Sequence, residues 1–189
     1  MTTPTTTTET HVQLRCSALP RAFACPASVR SQPDEILIDP HNEAADLGTA
    51  VHEVLERVIR DGLDDLPQLH PYAENGCSID ELGMLCSFGL QAWGELAANM
   101  PDPQLEVEID DPVSGHIDVL SINGTQAVVV DWKSGRKESD HYHQVTGYAA
   151  GVLRQNPTLD EAKVIVVWLR ERVMDAHTVT QQQASAWEA

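Results

Sequence analysis

The chain has 189 residues, 42% of them apolar, and a formal net charge of −17. That length suits one domain with a sizeable core, and that charge argues against a protein that coats nucleic acid by bulk attraction. No stretch approaches the roughly 18 continuous apolar residues of a membrane span. The opening Met1-Thr2-Thr3-Pro4 lacks the basic and apolar regions of a secretory signal.

In chain order, residues 1–12 read as a disordered tail and residues 13–189 as a single domain. A short helix is expected within 14–30, interrupted by Pro20 and Pro26, and residues 31–42 form an irregular connector. From Glu43 to about Arg60, Leu47, Val51, Val54, Leu55 and Val58 recur at helical spacing, and Asp61-Gly62 ends that helix. Residues 62–77 are loop-like. Ser78 is an N-cap, with Glu81 completing a capping box, for a helix to about Asn99, which Pro101 and Pro103 close. Three strands then form a meander. Leu105 to Asp110 alternates apolar and polar, Asp111-Pro112 makes a turn, and Gly115 to Leu120 alternates again. Asn123-Gly124 is a strong hairpin signal leading into Ala127-Val128-Val129-Val130-Asp131-Trp132-Lys133. Ser139 or Asp140 caps a helix to about Gln155, which Asn156-Pro157 terminates. Lys163–Leu169 reads as a fourth strand, Val173–Thr180 as a further one, and 181–189 as the start of a last helix.

The chemistry concentrates where the meander ends. Residues two apart on a strand share a face, so Asp131 and Lys133 project together from the end of a β-branched run bounded by Ser134-Gly135. A carboxylate and an ammonium are costly to place at a core edge. Asp131 could hold a hard cation, and Lys133 could steady an anion or a water. In the preceding strand, Ile117 and Val119 are expected to face one way and Asp118 the other, and pairing around the hairpin would bring Asp118 and Asp131 toward one ion. On the first long helix, Gly48, His52 and Glu56 lie four apart in one stripe beside Val51 and Leu55. His52 would therefore point along the helix–sheet interface, while Glu53 is read as surface. Gln144 and Tyr148 likewise share a helix face. Arg136, Lys137 and Arg154 are the basic residues encoded nearby. Glu106 and Glu108 stand on the polar face of the first strand; either could reach the site, though exposed strand carboxylates are common. His141 and His143 are read as hydrogen-bonding at a helix start rather than as zinc ligands.

An acid on the second strand and Asp-x-Lys closing the third resemble the PD-(D/E)xK nuclease superfamily. Gly48-x-x-x-His52-x-x-x-Glu56 and Gln144-x-x-x-Tyr148 are similar to the flanking motifs of its RecB-like, CRISPR-associated and phage-borne exonucleases, in the same order over residues 14 to 185. The resemblance implies an α/β, restriction-endonuclease-like core with a central mixed sheet of about four to five strands flanked by helices. It implies Asp118, Asp131, His52 and the Trp132 carbonyl as ligands of Mg²⁺ or Mn²⁺, a donor set suited to such ions. It also implies Lys133 as a catalytic group, Glu56 behind the ligands, and Gln144 and Tyr148 contacting DNA or bracing the site, with Arg136 and Lys137 on the substrate.

The activity expected is metal-dependent hydrolysis of DNA, as an exonuclease in phage or mobile-element DNA processing, in the bacterial cytoplasm. The alternative is a non-catalytic interaction protein whose acidic surface docks a recombination or replication partner. A single-strand annealing protein is one such partner, and a homo-oligomer is open, as ring-shaped trimers occur in this superfamily. Cys16, Cys25, Cys77 and Cys86 contain no CxxC pair. Some relatives carry an iron–sulfur cluster on a C-terminal cysteine trio, which this chain lacks, so free cytosolic thiols are expected instead.

Overall fold

The expected meander forms part of a five-stranded sheet in the computed structural model, which describes residues 14–25, 43–73, 77–137 and 141–186. The 1–12 tail, the 31–42 connector and the Ser139/Asp140 cap lie outside the described residues. The strands are β1 (Gln104–Ile109), β2 (Gly115–Asn123), β3 (Gln126–Lys133), β4 (Glu161–Trp168) and β5 (Val173–Thr180), and they stand side by side in chain order. Around them lie α1 (Leu19–Ala24), α2 (Glu43–Asp61), α3 (Ile79–Leu96), α4 (Tyr142–Gln155) and α5 (Gln181–Ala186). Hairpin neighbours pair antiparallel, whereas β3 and β4 pair parallel. A parallel step needs a long crossover, and α4 supplies it. The mixed sheet flanked by helices is the α/β, restriction-endonuclease-like fold expected from the sequence.

Each face of the sheet carries its own core. Val119, Val130, Trp132, Ile165 and Val167 pack with Leu47, Val51, Val54 and Leu55 of α2 and Leu82 and Leu85 of α3. On the other face, Ile117, Leu120, Val129, Val164, Val166 and Trp168 pack with Val145, Ala149, Val152 and Leu153 of α4 and with Leu19 of α1. α4 is buried along nearly its whole length, from Gln144 to Leu153. The helix termini follow local chemistry. Ser78 Oγ accepts from Glu81 N at 3.3 Å, half of the expected capping box. The Glu81 carboxylate goes instead to Arg170, 2.6 Å away. The apolar run of α3 ends at Leu96 and finishes in a 3₁₀ turn, Ala97–Asn99.

Two expectations fail here. Ile117 and Val119 do not share a face, because they sit in different cores. β2 breaks its alternation at Asp118. Opposite, on β1, Glu106 has a left-handed backbone (φ 50), and ladder pairing skips this pair between Leu105↔Val119 and Val107↔Ile117. An irregular residue in a strand re-aims the side chains around it. Arg154 lies in the last turn of α4 beside Asp111 (3.8 Å). The helix is about 20 Å long, so Arg154 stands at the opposite end from the Asp-x-Lys strand terminus.

Candidate metal centre

β2 and β3 run in register from Val119↔Val130 outward to Asn123↔Gln126. One step past that ladder come Asp118 and Asp131, on adjacent strands. Asp118 does not stay in line: its Oδ2 accepts from the backbone N of Trp132 at 2.7 Å, and its Oδ1 lies 3.2 Å from Nδ1 of His52 on α2. His52 Nε2 lies 3.0 Å from the carbonyl oxygen of Trp132. A carbonyl can only accept, so Nε2 donates, and a carboxylate against Nδ1 favours a second proton on the ring. Burial opposes charging this imidazole. The hydrogen bond and charge of Asp118, helped by Asp131, outweigh it and raise the pKa to about 9.

Donor atoms of His52, Glu106 and Asp118 lie within 4.8 Å of one another. The kink at Glu106 is what turns its carboxylate toward the other two. Burial, then the charge of Asp118, raises its pKa. A cavity along α2, lined by Gly48, Thr49, His52, Glu53, Glu56 and Glu106, opens onto this group. Gly48 matters for the approach of the chain after β3: a Cβ there would come 3.2 Å from Ser134 Oγ. The carbonyl of Ser134 also accepts from Arg170 Nε at 2.7 Å, which ties the turn after Lys133 to the start of the β4–β5 hairpin.

Asp131 is only 2% exposed. Lys133 Nζ hydrogen-bonds its Oδ1 at 3.1 Å and lies 2.8 Å from Oδ2. Oδ2 is ion-paired there yet receives no hydrogen bond in good geometry. Burial raises the Asp131 pKa; Lys133 opposes that and Asp118 reinforces it. Asp131 adds no donor atom to the His52–Glu106–Asp118 group; those two carboxylates and the imidazole, with the Trp132 carbonyl against His52, have the donor types of a hard divalent cation.

The remaining sequence-derived residues fall around this group. Gln144 Nε2 donates to Tyr148 Oη at 2.9 Å, and both residues are buried, a bracing position rather than an exposed contact. Burial, then the charge of Asp131, raises the Tyr148 pKa. Glu56 pairs with Arg60 on α2 while lining the cavity, and Glu53, exposed as expected, borders it too. Lys137 pairs with Asp175 of β5 and lies 5.9 Å from the Trp168 ring, whereas Arg136 is exposed at the start of the same loop. His141 Nδ1 lies 3.2 Å from Gln144 Oε1 and His143 stacks on Phe23, so neither joins a metal group among the described residues. The four cysteines are free. Cys16 lies under the site, where burial, then Asp131, pushes its pKa up to about 12. Glu106, read from the sequence only as one of two strand acids that could reach the site, is the one that joins it, at a kink that nothing in an alternating pattern announces.

The model of the PD-(D/E)XK nuclease superfamily matches residues 14–189, and the chain belongs to that superfamily. The solved structure titled "Crystal structure of SSO0001" aligns over 90% of this chain and 81% of that one, at 11% identity and a TM-score of 0.33. No curated protein matches the chain. Among the described residues, no helix is long and apolar enough to cross a membrane.

Proposed function

We propose that the protein is a metal-dependent DNA exonuclease that hydrolyses phosphodiester bonds in phage or mobile-element DNA processing. The observation that carries this reading is the convergence of His52, Glu106 and Asp118 beside the buried Asp131–Lys133 pair. Asp118, Asp131, His52 and the Trp132 carbonyl, with Glu106 added, would hold Mg²⁺ or Mn²⁺. The ion would supply acidification of water and neutralisation of charge developing on the phosphate.

The chain's own residues account for the rest of the chemistry. Lys133 is held against Asp131 so that its ammonium can orient the attacking water and offset negative charge. Trp132 fixes its carbonyl through Asp118, which grips the amide of the same residue. Gln144 and Tyr148 brace α4 under the strand ends. The cavity along α2 leaves space beside the donors for a phosphate and water.

The test uses linear DNA labelled at either end and covalently closed circular DNA, with Mn²⁺, with Mg²⁺ and with chelator. Metal-dependent shortening of linear DNA that spares circles supports the exonuclease. Nicking of circles would replace it with an endonuclease. The net charge of −17 favours a second reading, an interaction protein that docks a basic recombination or replication partner. Absence of cleavage on every DNA form would turn the assignment to that reading.

A further inference from the structure

The chain is short of positive charge, yet that charge is not spread evenly. Of its 12 lysines and arginines, Lys133, Arg136, Lys137, Arg170 and Arg172 fall in two short segments. The segments are neighbours in space. Lys133 is the register partner of Trp168, Leu169 N bonds Lys133 O at 3.0 Å, and Glu171 accepts from Lys137 N at 3.2 Å. Both flank the end of β3 and β4 where the carboxylates converge.

Exposed rings collect at the same end. Phe23 and Tyr142 are 48% and 53% exposed and are the two aromatic residues among the exposed large hydrophobic side chains described. Phe23 stacks face to face on His143 (3.9 Å, 11°). Tyr142 meets His143 edge-on at 5.7 Å and His177 of β5 at 5.1 Å. One residue before Tyr142, His141 packs 5.1 Å from Trp168 and reaches Gln144, so the ledge is continuous with the residues bracing the candidate centre. Aromatic rings left in water beside cationic side chains are what unpaired nucleic acid uses. Its bases have free π-faces to stack, whereas a duplex hides them. The acidic surface elsewhere disfavours the broad backbone contact that a duplex would need.

We propose that this ledge binds an unpaired DNA strand, with bases stacking on Tyr142 and on the Phe23–His143 pair and phosphates meeting Arg136, Arg170 and Arg172, and that it leads the strand's end to the carboxylate centre. The proposal rests on the nuclease reading and adds the strand state of the substrate. Lys137 plays a different part: bonded to Asp175 and lying over Trp168, it stiffens the ledge.

The experiment measures fluorescence anisotropy of a labelled oligothymidylate and of a duplex of equal length, both in chelator so that nothing is cut. Wild type, Tyr142→Ala, Phe23→Ala and Tyr142→Trp are compared. Hydrolysis of bis(p-nitrophenyl) phosphate with Mn²⁺ serves as a separate readout of the metal centre, because that ester has no bases to stack. Single-strand affinity should fall about tenfold or more in each alanine variant, be retained in Tyr142→Trp, and exceed duplex affinity in wild type. Ester hydrolysis should be unchanged in all variants. Alanine variants that bind the oligonucleotide like wild type, or a duplex bound as tightly as the single strand, overturn the ledge. The first of these outcomes leaves the exposed rings to a protein partner. Stacking losses together with no ester hydrolysis would keep the ledge and overturn the nuclease reading instead.

Discussion

At the scale of single residues, the Asp131–Lys133 pair makes the sharpest prediction. Removing one member of a buried ion pair strands the other and costs about 3–5 kcal/mol, so Asp131→Ala would confuse loss of fold with loss of chemistry. Asp131→Asn keeps the volume and an acceptor for Lys133, and Lys133→Gln keeps a donor for Asp131, so each limits that loss. Each is expected to lower cleavage by about 10² to 10³ with an unchanged circular dichroism spectrum; cleavage at wild-type rates would remove the pair from the mechanism. His52 gives a prediction on pH. Its folded pKa is about 9, above the unfolded value near 6.5. In metal-free protein its contribution to stability is therefore full below about pH 6.5 and is lost as pH rises through about 9. Urea unfolding in chelator should show stability falling over that window, and His52→Gln should flatten the fall. Cation binding has to displace the same proton, so affinity for Mn²⁺ measured by calorimetry should rise with pH across the window.

At the scale of elements, the packing of α2 on α3 turns on Gly89. A Cβ at that position would sit 2.6 Å from a Leu55 methyl and 3.2 Å from Leu55 Cγ, and Leu55 is buried. Overpacking of this kind costs about 1–3 kcal/mol, against a gain in helix propensity of up to about 1 kcal/mol. Gly89→Ala should therefore lower unfolding stability by about 1 kcal/mol. Shortening the opposing side chain in Gly89→Ala/Leu55→Val should give back part of it, and additive losses would show that the two residues do not couple. The helix was legible because Leu47, Val51, Val54, Leu55 and Val58 repeat at its period, and the hairpin because Asn123-Gly124 admits few alternatives. The strand parity around Asp118 was not legible. Alternation is a rule for regular ladders, and the left-handed Glu106 interrupts the ladder where the donor atoms meet. For the same reason Glu106 was no more than one of two strand acids that could reach the site, while His52, flanked by Gly48 and Glu56 in a recognisable motif, stood out. The distance of Arg154 from the site also escaped a linear reading, since an element of 14 residues carries its two ends far apart.

At the scale of the whole molecule, 29 acidic residues oppose 12 basic ones, and salt should act on stability and on DNA binding in opposite directions. At 10 mM ionic strength the screening length is about 30 Å, long enough for the carboxylates to repel one another across the fold; at 0.15 M it is about 8 Å. Raising salt between these limits should raise the melting temperature, by about 2–4 °C for each kcal/mol of repulsion relieved. Binding to a single strand should weaken over the same range, but gently. Arg136, Arg170 and Arg172 are the cations assigned to phosphates, Arg170 in competition with its Glu81 pair, while Arg154 stands at the far end of α4. At roughly −0.7 per phosphate neutralised on single strands, three contacts give a slope of log affinity against log salt near −2. A melting temperature that falls with salt would show that ion pairs such as Arg170–Glu81 outweigh the net repulsion. A slope near −8 would require a far larger basic surface than the two segments flanking the end of β3 and β4, and would move the DNA path away from the ledge.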